Sequence, residues 1–359
     1  MSNSPQMTNV EPRPAAISVG DWLPIVARCA IVAAQVATVL ITWPLWEARA
    51  WPPLLPACGV PQCSMGWPMM VSALAVLIVP RGGLAVHASV VLVAMLMDQT
   101  RMQPEIVSHC LLLLGTLPAA VPRFVGRLHL ISLWLFSGIH KLFSEAFYTD
   151  VAPFMWHGIF PEAPTAVITA FGVTVAVTEI LLGVLSTFAA TRRAAAVVGA
   201  LFHVGVFLGL SLGLEWNMAV WPWNLALAVA AIGLLYPWRG SLLGQFQAVT
   251  LSWRAVGAAL LLAPASYYIG GLDAYLAHCL YSANTPRGLW MHGNEIDDLS
   301  MLTIESLDVP MPPTHRTFLA FFRAAGRPGD RLTIIDPRPC ARWWSWQERT
   351  YDYPAQPSP

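Results

Sequence analysis

The feature that most constrains this chain is a shortage of charge. Asp, Glu, Lys and Arg make up 11% of its 359 residues, against about 25% in an ordinary soluble chain. Hydrophobic residues make up 56%, and the mean hydropathy is +0.56. Such a chain cannot cover a folded surface with polar groups. That excludes a soluble globular protein, a disordered chain and a nucleic-acid binder with a basic stripe. Net charge is zero, so no bulk field selects a charged partner.

The charge is also unevenly placed. Residues 1–286 hold 12 basic and 11 acidic side chains, whereas residues 287–359 hold 8 and 9. The chain divides into a disordered segment over 1–20, a membrane body over 21–286 and a small extracytoplasmic tail over 287–359. The first stretch, broken by Pro5, Pro12 and Pro14, lacks the apolar core and cleavage site of a signal peptide.

Nine apolar stretches, at 23–43, 66–80, 83–98, 105–121, 124–142, 166–190, 194–214, 217–236 and 254–271, approach the about 20 residues that a membrane span requires. Pro80-Arg81-Gly82-Gly83 reads as a tight turn between two of them. The prediction is an all-α polytopic membrane protein of about nine transmembrane helices with a small α+β appendage. With the amino terminus in the cytoplasm, inner connections carry Arg81, Arg123, Arg127, Arg192, Arg193, Arg239 and Arg254, besides Arg13 and Arg28. Outer connections carry only Arg49 and Arg101, with Lys141 at an outer helix end. That asymmetry predicts a cell (inner) membrane protein whose tail lies outside. Trp43, Trp46, Trp51, Trp67, Trp216, Trp221 and Trp223 fall near outer ends, as an interfacial belt would.

Within the tail, the alternation over 301–307 predicts a strand, 317–325 a short helix and 331–335 a second strand. The outer location permits disulfides among Cys58, Cys63, Cys279 and Cys340, with the pairing open. Cys29 and Cys110, inside spans, read as packing residues.

Ionisable groups inside spans are costly and mark candidate sites. His87 and His129 fall in the inner third, Glu179 and His203 near the middle, and His109, His140 and Lys141 in the outer third. Asp98, Glu215 and Asn217 stand at the outer rim. Glu179 and His203 are expected to form one hydrogen-bonded unit, and the outer group one site. Packing alone is the bland alternative for each histidine. Lys141 stands out because the other nineteen basic residues are all arginine. Arginine stays protonated, whereas a desolvated lysine can lose its proton and act as a base. A snorkelling interfacial lysine is the competing explanation. His109, His140 and His157 lack metal-ligand spacing, so no metal is expected. There is no GxGxxG, P-loop or GxSxG motif.

The segment Ser132-Leu133-Trp134-Leu135-Phe136-Ser137-Gly138-Ile139-His140-Lys141-Leu142 resembles a helix end of the vitamin K-dependent γ-carboxylase superfamily, the horizontally transferred transmembrane (HTTM) domain. There a Gly-x-Lys-Lys-Leu-like segment carries a catalytic lysine. Asp98 to Pro104, the span around His203, Trp221-Pro222-Trp223-Asn224, and Leu272 to Tyr275 with Leu280-Tyr281-Ser282 agree more loosely. The resemblance covers roughly 20–285. It implies a quinol-dependent carboxylase or epoxidase in which Lys141 deprotonates a reduced, vitamin K hydroquinone-like prenyl quinone, with oxygen and carbon dioxide as co-reactants. His140 would tune the lysine. By their position inside spans, not by the resemblance, His109, Glu179 and His203 are the supporting polar candidates. An apolar chamber would shield a strong base from water. His140 replaces the first lysine of the family pair, and Phe143-Ser144-Glu145-Ala146-Phe147 departs from its aromatic and acidic residues. The tail is far shorter than the outer domain with which those carboxylases grip proteins, leaving a peptide or small molecule at the outer face. The alternative is a non-catalytic scaffold or assembly factor that keeps the fold. A transporter lacks support, because no pair of broken helices repeats.

Overall fold

The computed structural model describes residues 19–59, 61–338, 347–354 and 356–357. Residues 1–18 of the expected disordered segment, and Cys340, lie outside the described residues.

A helix occupies each of the nine stretches. They are α1 (Val19–Ile41), followed by the one-turn α2 (Trp43–Trp46), then α3 (Gly66–Ile78), α4 (Pro80–Met97), α5 (Pro104–Gly115) and α6 (Ala120–Leu142). After the short α7 (Ala152–His157) come α8 (Thr165–Thr187), α9 (Arg192–Leu208) and α10 (Trp221–Ala230). The short α11 (Leu242–Gln247) leads to α12 (Leu251–Leu262). Single π turns extend α9 to Leu214 and α10 to Leu235, and a 3-10 turn extends α12 to Ile269.

Among the described residues, five helical segments are long and apolar enough to cross a membrane: Trp22–Ile41, Pro80–Met97, Thr165–Thr187, Arg192–Leu214 and Met218–Leu235. Their outward faces expose large apolar side chains such as Leu92, Leu181, Leu201 and Leu212, which suits a lipid environment. The apolar helices α3 and α5 are shorter. The 12 residues of α5 rise only about 18 Å, against the roughly 30 Å of a bilayer core. Helix α6 has the length but carries Arg123, Arg127, His129, His140 and Lys141, and lies almost wholly buried at the centre of the bundle.

The turn expected at Pro80–Gly83 is instead a break at Val79, with Pro80 opening α4. Proline costs nothing at a first helical position, where the N–H would lack a partner. Gly83 then lies against the Ala75 backbone, where no Cβ would fit.

Glycines bring the other helices onto α6. A Cβ on Gly138 would meet the Ala176 carbonyl oxygen at 2.5 Å, and one on Gly183 would meet Leu135 Cβ at 2.9 Å. Gly115 and Gly126 join α5 to α6 in the same way. Small residues at such crossings suit membrane helices, which associate by close packing. Arg192 closes the far end. It donates to the carbonyls of Ser186, Thr187, Trp238 and Gly240 at 2.7–3.1 Å and lies 3.3 Å from the Trp238 ring centroid.

The tail is an antiparallel sheet with two helices. Strands β1 (Arg287–His292), β2 (Glu295–Asp298), β3 (Arg331–Ile335), β4 (Glu348–Asp352) and β5 (Gln356–Pro357) run in the order β2-β1-β3-β4-β5. The register pairs His292 with Glu295, so Gly293-Asn294 is the hairpin turn, with Gly293 at φ 60°. The expected strand over 301–307 is instead helix α13 (Leu299–Leu307). Asp298 caps it by accepting from the Ser300 N–H, and Leu299, Thr303 and Leu307 are buried at a spacing of four, which is the helical period. Helix α14 (His315–Ala325) and β3 occupy the places expected of them.

Phe318, Phe321, Phe322, Leu332 and Ile334 form the tail core together with Leu55, from the α2–α3 connection. Trp51 packs against Trp290 and Phe321, Gln103 donates to the Pro310 carbonyl at 3.0 Å, and Arg338 to that of Tyr267 at 3.0 Å. Among the described residues, Cys58, Cys63 and Cys279 form no disulfide. Cys29 is exposed on the bundle surface rather than packed inside it, because its helix turns that face outward.

Candidate functional site

Lys141 lies in the last turn of α6, and Glu179 midway along α8. Helical side chains point back toward the amino terminus, so the Lys141 ammonium descends one turn to the level of Ser137. There Nζ donates to Ser137 Oγ at 2.6 Å and to Glu179 Oε2 and Oε1 at 2.8 and 3.1 Å. Ser137 Oγ itself donates to Glu179 Oε1 at 3.2 Å. Lys141 is 3% and Glu179 8% exposed. The lysine is therefore buried in an interhelical ion pair and does not snorkel to an interface.

The close α6–α8 crossing sets this geometry. Gly138→Ala is expected to destabilise the protein by about 1–3 kcal/mol and to part Lys141 from Glu179. A thermal melt of the purified protein measures the loss; an unshifted melting temperature would mean the crossing is not tight.

His140 points away from Lys141. Its Nε2 faces the Ala277 carbonyl and its Nδ1 the Tyr268 hydroxyl, both at 2.8 Å. A carbonyl only accepts, so Nε2 carries the hydrogen, and Nδ1 is left to accept from Tyr268. This clamps α6 to the chain after α12.

The expected Glu179–His203 unit does not form. His203 Nε2 accepts from Trp134 Nε1 at 2.8 Å, and Nδ1 donates to Asn224 Oδ1 at 3.0 Å. The indole N–H only donates, which assigns the tautomer, while the Asn224 amide is oriented by its bond to the Val220 carbonyl. Glu179 is taken by Lys141 instead, because the lysine side chain reaches down the helix.

Nor do the outer polar groups converge. Asp98 pairs with Arg49 at 2.7 Å, Asn217 donates to Tyr281, and both ring nitrogens of buried His109 lack a protein partner among the described residues. His87 and His129 bond to Ser72 and Ser108. Among the described residues no three His, Cys, Asp or Glu side chains form a metal-ligand group.

Two adjoining chambers lie beside this assembly, of about 450 and 340 Å³, within the size range of small-molecule sites. Pro104, Trp223 and Tyr275 line both. The larger also presents Glu105, Trp216, Tyr281 and Cys279, and the smaller Ser108, His129 and His278. Lys141 and His140 line neither; they stand behind the wall. Burial pushes the Cys279 thiol above its usual range, opposed by its bond with Tyr267 and, more weakly, by the charges of Arg338 and Lys141. Burial also pushes His278 well below the usual imidazole range, reinforced by His129 and His140.

Sequence reasoning missed Ser137, Tyr268, His278 and Glu105. Glu105 was the most accessible of these, since it precedes His109 by four residues on one face of an apolar helix. It is 2% exposed, and no cation pairs with it among the described residues.

The chain matches no protein-family model, no curated protein and no solved structure.

Proposed function

We propose that this chain is a nine-span membrane enzyme, amino terminus in the cytoplasm and tail outside, that acts on an apolar quinol-like substrate with Lys141 as base. One observation carries the proposal: the chain's single lysine is buried on Glu179 and Ser137 rather than at a lipid interface. Ionisable groups inside a membrane are costly, and proton relays are among the functions that retain them.

The chambers suit a flat apolar ring. Trp216, Trp223, Tyr275 and Tyr281 offer aromatic walls, and Glu105 a carboxyl to hold a hydroxyl. A reduced prenyl quinone bound there would supply an acidic O–H and, with oxygen, the strong base that carboxylation by carbon dioxide needs. Lys141 passes an ammonium proton to Glu179 across the 2.8 Å contact, and its amine is then free to accept another. Exchange within the pair creates no net charge, which keeps its cost low in an apolar surrounding. His140, held by Tyr268 and Ala277, fixes the end of α6 and so positions Lys141.

A second reading, a non-catalytic scaffold or assembly factor, is favoured by the lysine's bonding. Among the described residues, every Lys141 hydrogen bond goes to Ser137 or Glu179, and the lysine does not line either chamber. Quinol-dependent oxygen uptake by the purified, reconstituted protein separates the two. Lys141→Ala and Lys141→Arg are expected to lower the rate about 100-fold or more, the scale of a lost general base. Equal turnover in the wild type and both variants would sink the catalytic role.

A further inference from the structure

We infer that the end of the bundle opposite the tail carries a binding site for a phosphate-bearing group. This inference is independent of the role of Lys141. Helix α5 begins beside the tail, where Gln103 bonds to Pro310, and ends at Gly115 in the wall of a cavity of about 1130 Å³. Six arginines line that cavity: Arg28, Arg81, Arg123, Arg127, Arg193 and Arg239. They come from α1, α4, α6, α9 and the segment after α10. Residues 21–286 hold only 11 basic side chains, so more than half of the membrane body's cations converge on one concavity.

No Asp or Glu lines the cavity among the described residues, and none forms an ion pair with these six. Several of the guanidinium groups are held in place. Arg28 donates to the Thr116 side chain and carbonyl, Arg123 to the Leu117 carbonyl, and Arg127 to the Leu234 carbonyl at 2.9 Å. Arg127 also packs over Trp238, and Arg193 over Tyr236. Arg123 and Arg127 spend only Nε on the protein, so their terminal nitrogens lack a protein acceptor among the described residues.

Orientation by loop cations needs positive charge on one side of the membrane, but it does not need the charges to meet. Like charges gathered in one bowl repel one another, and an anion between them turns that cost into binding. Arginine's planar fork matches phosphate oxygens two at a time. Basic pockets between helices on the inner side suit anionic lipid headgroups, and the same chemistry takes a soluble phosphate.

The test uses the purified full chain in phosphatidylcholine nanodiscs. In one arm, phosphatidylglycerol is mixed in and lipid retained through native mass spectrometry is counted. In the other, inorganic phosphate and pyrophosphate are titrated against thermal stability. Either at least tenfold enrichment of phosphatidylglycerol over phosphatidylcholine, or saturable stabilisation by phosphate at constant ionic strength, is expected; the first assigns a lipid source and the second a soluble one. Arg81, Arg193 and Arg239 are exposed and make no hydrogen bond to the fold among the described residues. The triple variant Arg81→Gln/Arg193→Gln/Arg239→Gln should abolish the effect, whichever arm shows it. The corresponding triple lysine variant keeps the inner charge and the orientation, and should weaken binding about threefold. No preference in either arm, or a preference that survives the lysine and glutamine variants unchanged, would overturn the inference.

Discussion

Glu179→Ala is expected to destabilise the protein by about 3–5 kcal/mol, the cost of leaving a buried charge without its partner. Lys141 is 3% exposed and makes three of its four hydrogen bonds within 3.1 Å, two of them to the Glu179 carboxylate. Without Glu179 the ammonium keeps only Ser137. Losing both charges costs much less: Lys141→Met with Glu179→Leu should unfold close to the wild type, because apolar replacements of similar volume recover the desolvation cost. Thermal unfolding of Lys141→Met, Glu179→Leu and the double variant closes a mutant cycle, and a coupling near zero would show that the pair does not interact. The double variant also separates stability from function. If Lys141 is a base, the double variant folds but takes up no oxygen with quinol. If the pair only fastens α6 to α8, the double variant keeps whatever the wild type does.

The second large effect is expected at Asp98. Its carboxylate accepts from the Leu55 N–H at 3.2 Å, the Thr100 N–H at 3.1 Å and the Thr100 hydroxyl at 2.7 Å, and it pairs with Arg49 at 2.7 Å and Arg101 at 3.9 Å. Both arginines also bind the chain after α1: Arg49 reaches the carbonyls of Leu45 and Pro52, and Arg101 those of Leu45, Trp46 and Glu47. Leu55 belongs to the tail core, so this network fastens the tail to the membrane body. Asp98→Ala strands two buried cations and should cost about 3–5 kcal/mol. Asp98→Asn keeps the shape but sets an amide among donors, and should cost about 1–3 kcal/mol. Limited proteolysis of the tail, run beside a thermal melt, checks this. A tail as protected in Asp98→Ala as in the wild type would show that the network does not anchor it. Salt should matter little to either result, because Asp98 is fully buried and screening acts on exposed charges.

This network also gives the Asp98-Gln99-Thr100-Arg101-Met102-Gln103-Pro104 segment a structural role. In the sequence, the segment loosely resembles part of the γ-carboxylase superfamily. In the fold its residues hold loops together: Gln103 bonds to the Thr100 and Pro310 carbonyls, and Arg101 packs on Trp46. A short polar motif between two apolar runs looks the same in one dimension whether it binds a ligand or the protein itself.

The tail shows where alternation misleads. Leu302 to Glu305 alternates apolar with polar residues, and that short run at period two suggests a strand. The burial of Leu299, Thr303 and Leu307 answers to a period of four, and the Asp298 cap begins the helix. Gly293-Asn294, which the expectations for the tail do not include, is a turn pair of the kind that fixes register. It locates β1 and β2, which the tail's apolar pattern does not mark.

The amino-acid sequence by itself determined that helices form in the nine apolar stretches, since hydropathy and helix period are local properties. It also determined which residue to watch, since a count singles out Lys141. The lysine's partner was decided only by the tertiary structure. Depth along separate helices put Glu179 level with His203 and Lys141 in the outer third. In three dimensions the Lys141 side chain runs back one turn, and Gly138 and Gly183 let α8 come close enough for the carboxylate to meet it. The arginines follow the same rule: their side of the membrane is a matter of loop order, but their meeting in one cavity depends on how five separate segments pack. Contacts between distant segments depend on helix rotation and on the closeness of crossings. Both are set by the whole bundle's packing, and no single stretch of sequence carries that information.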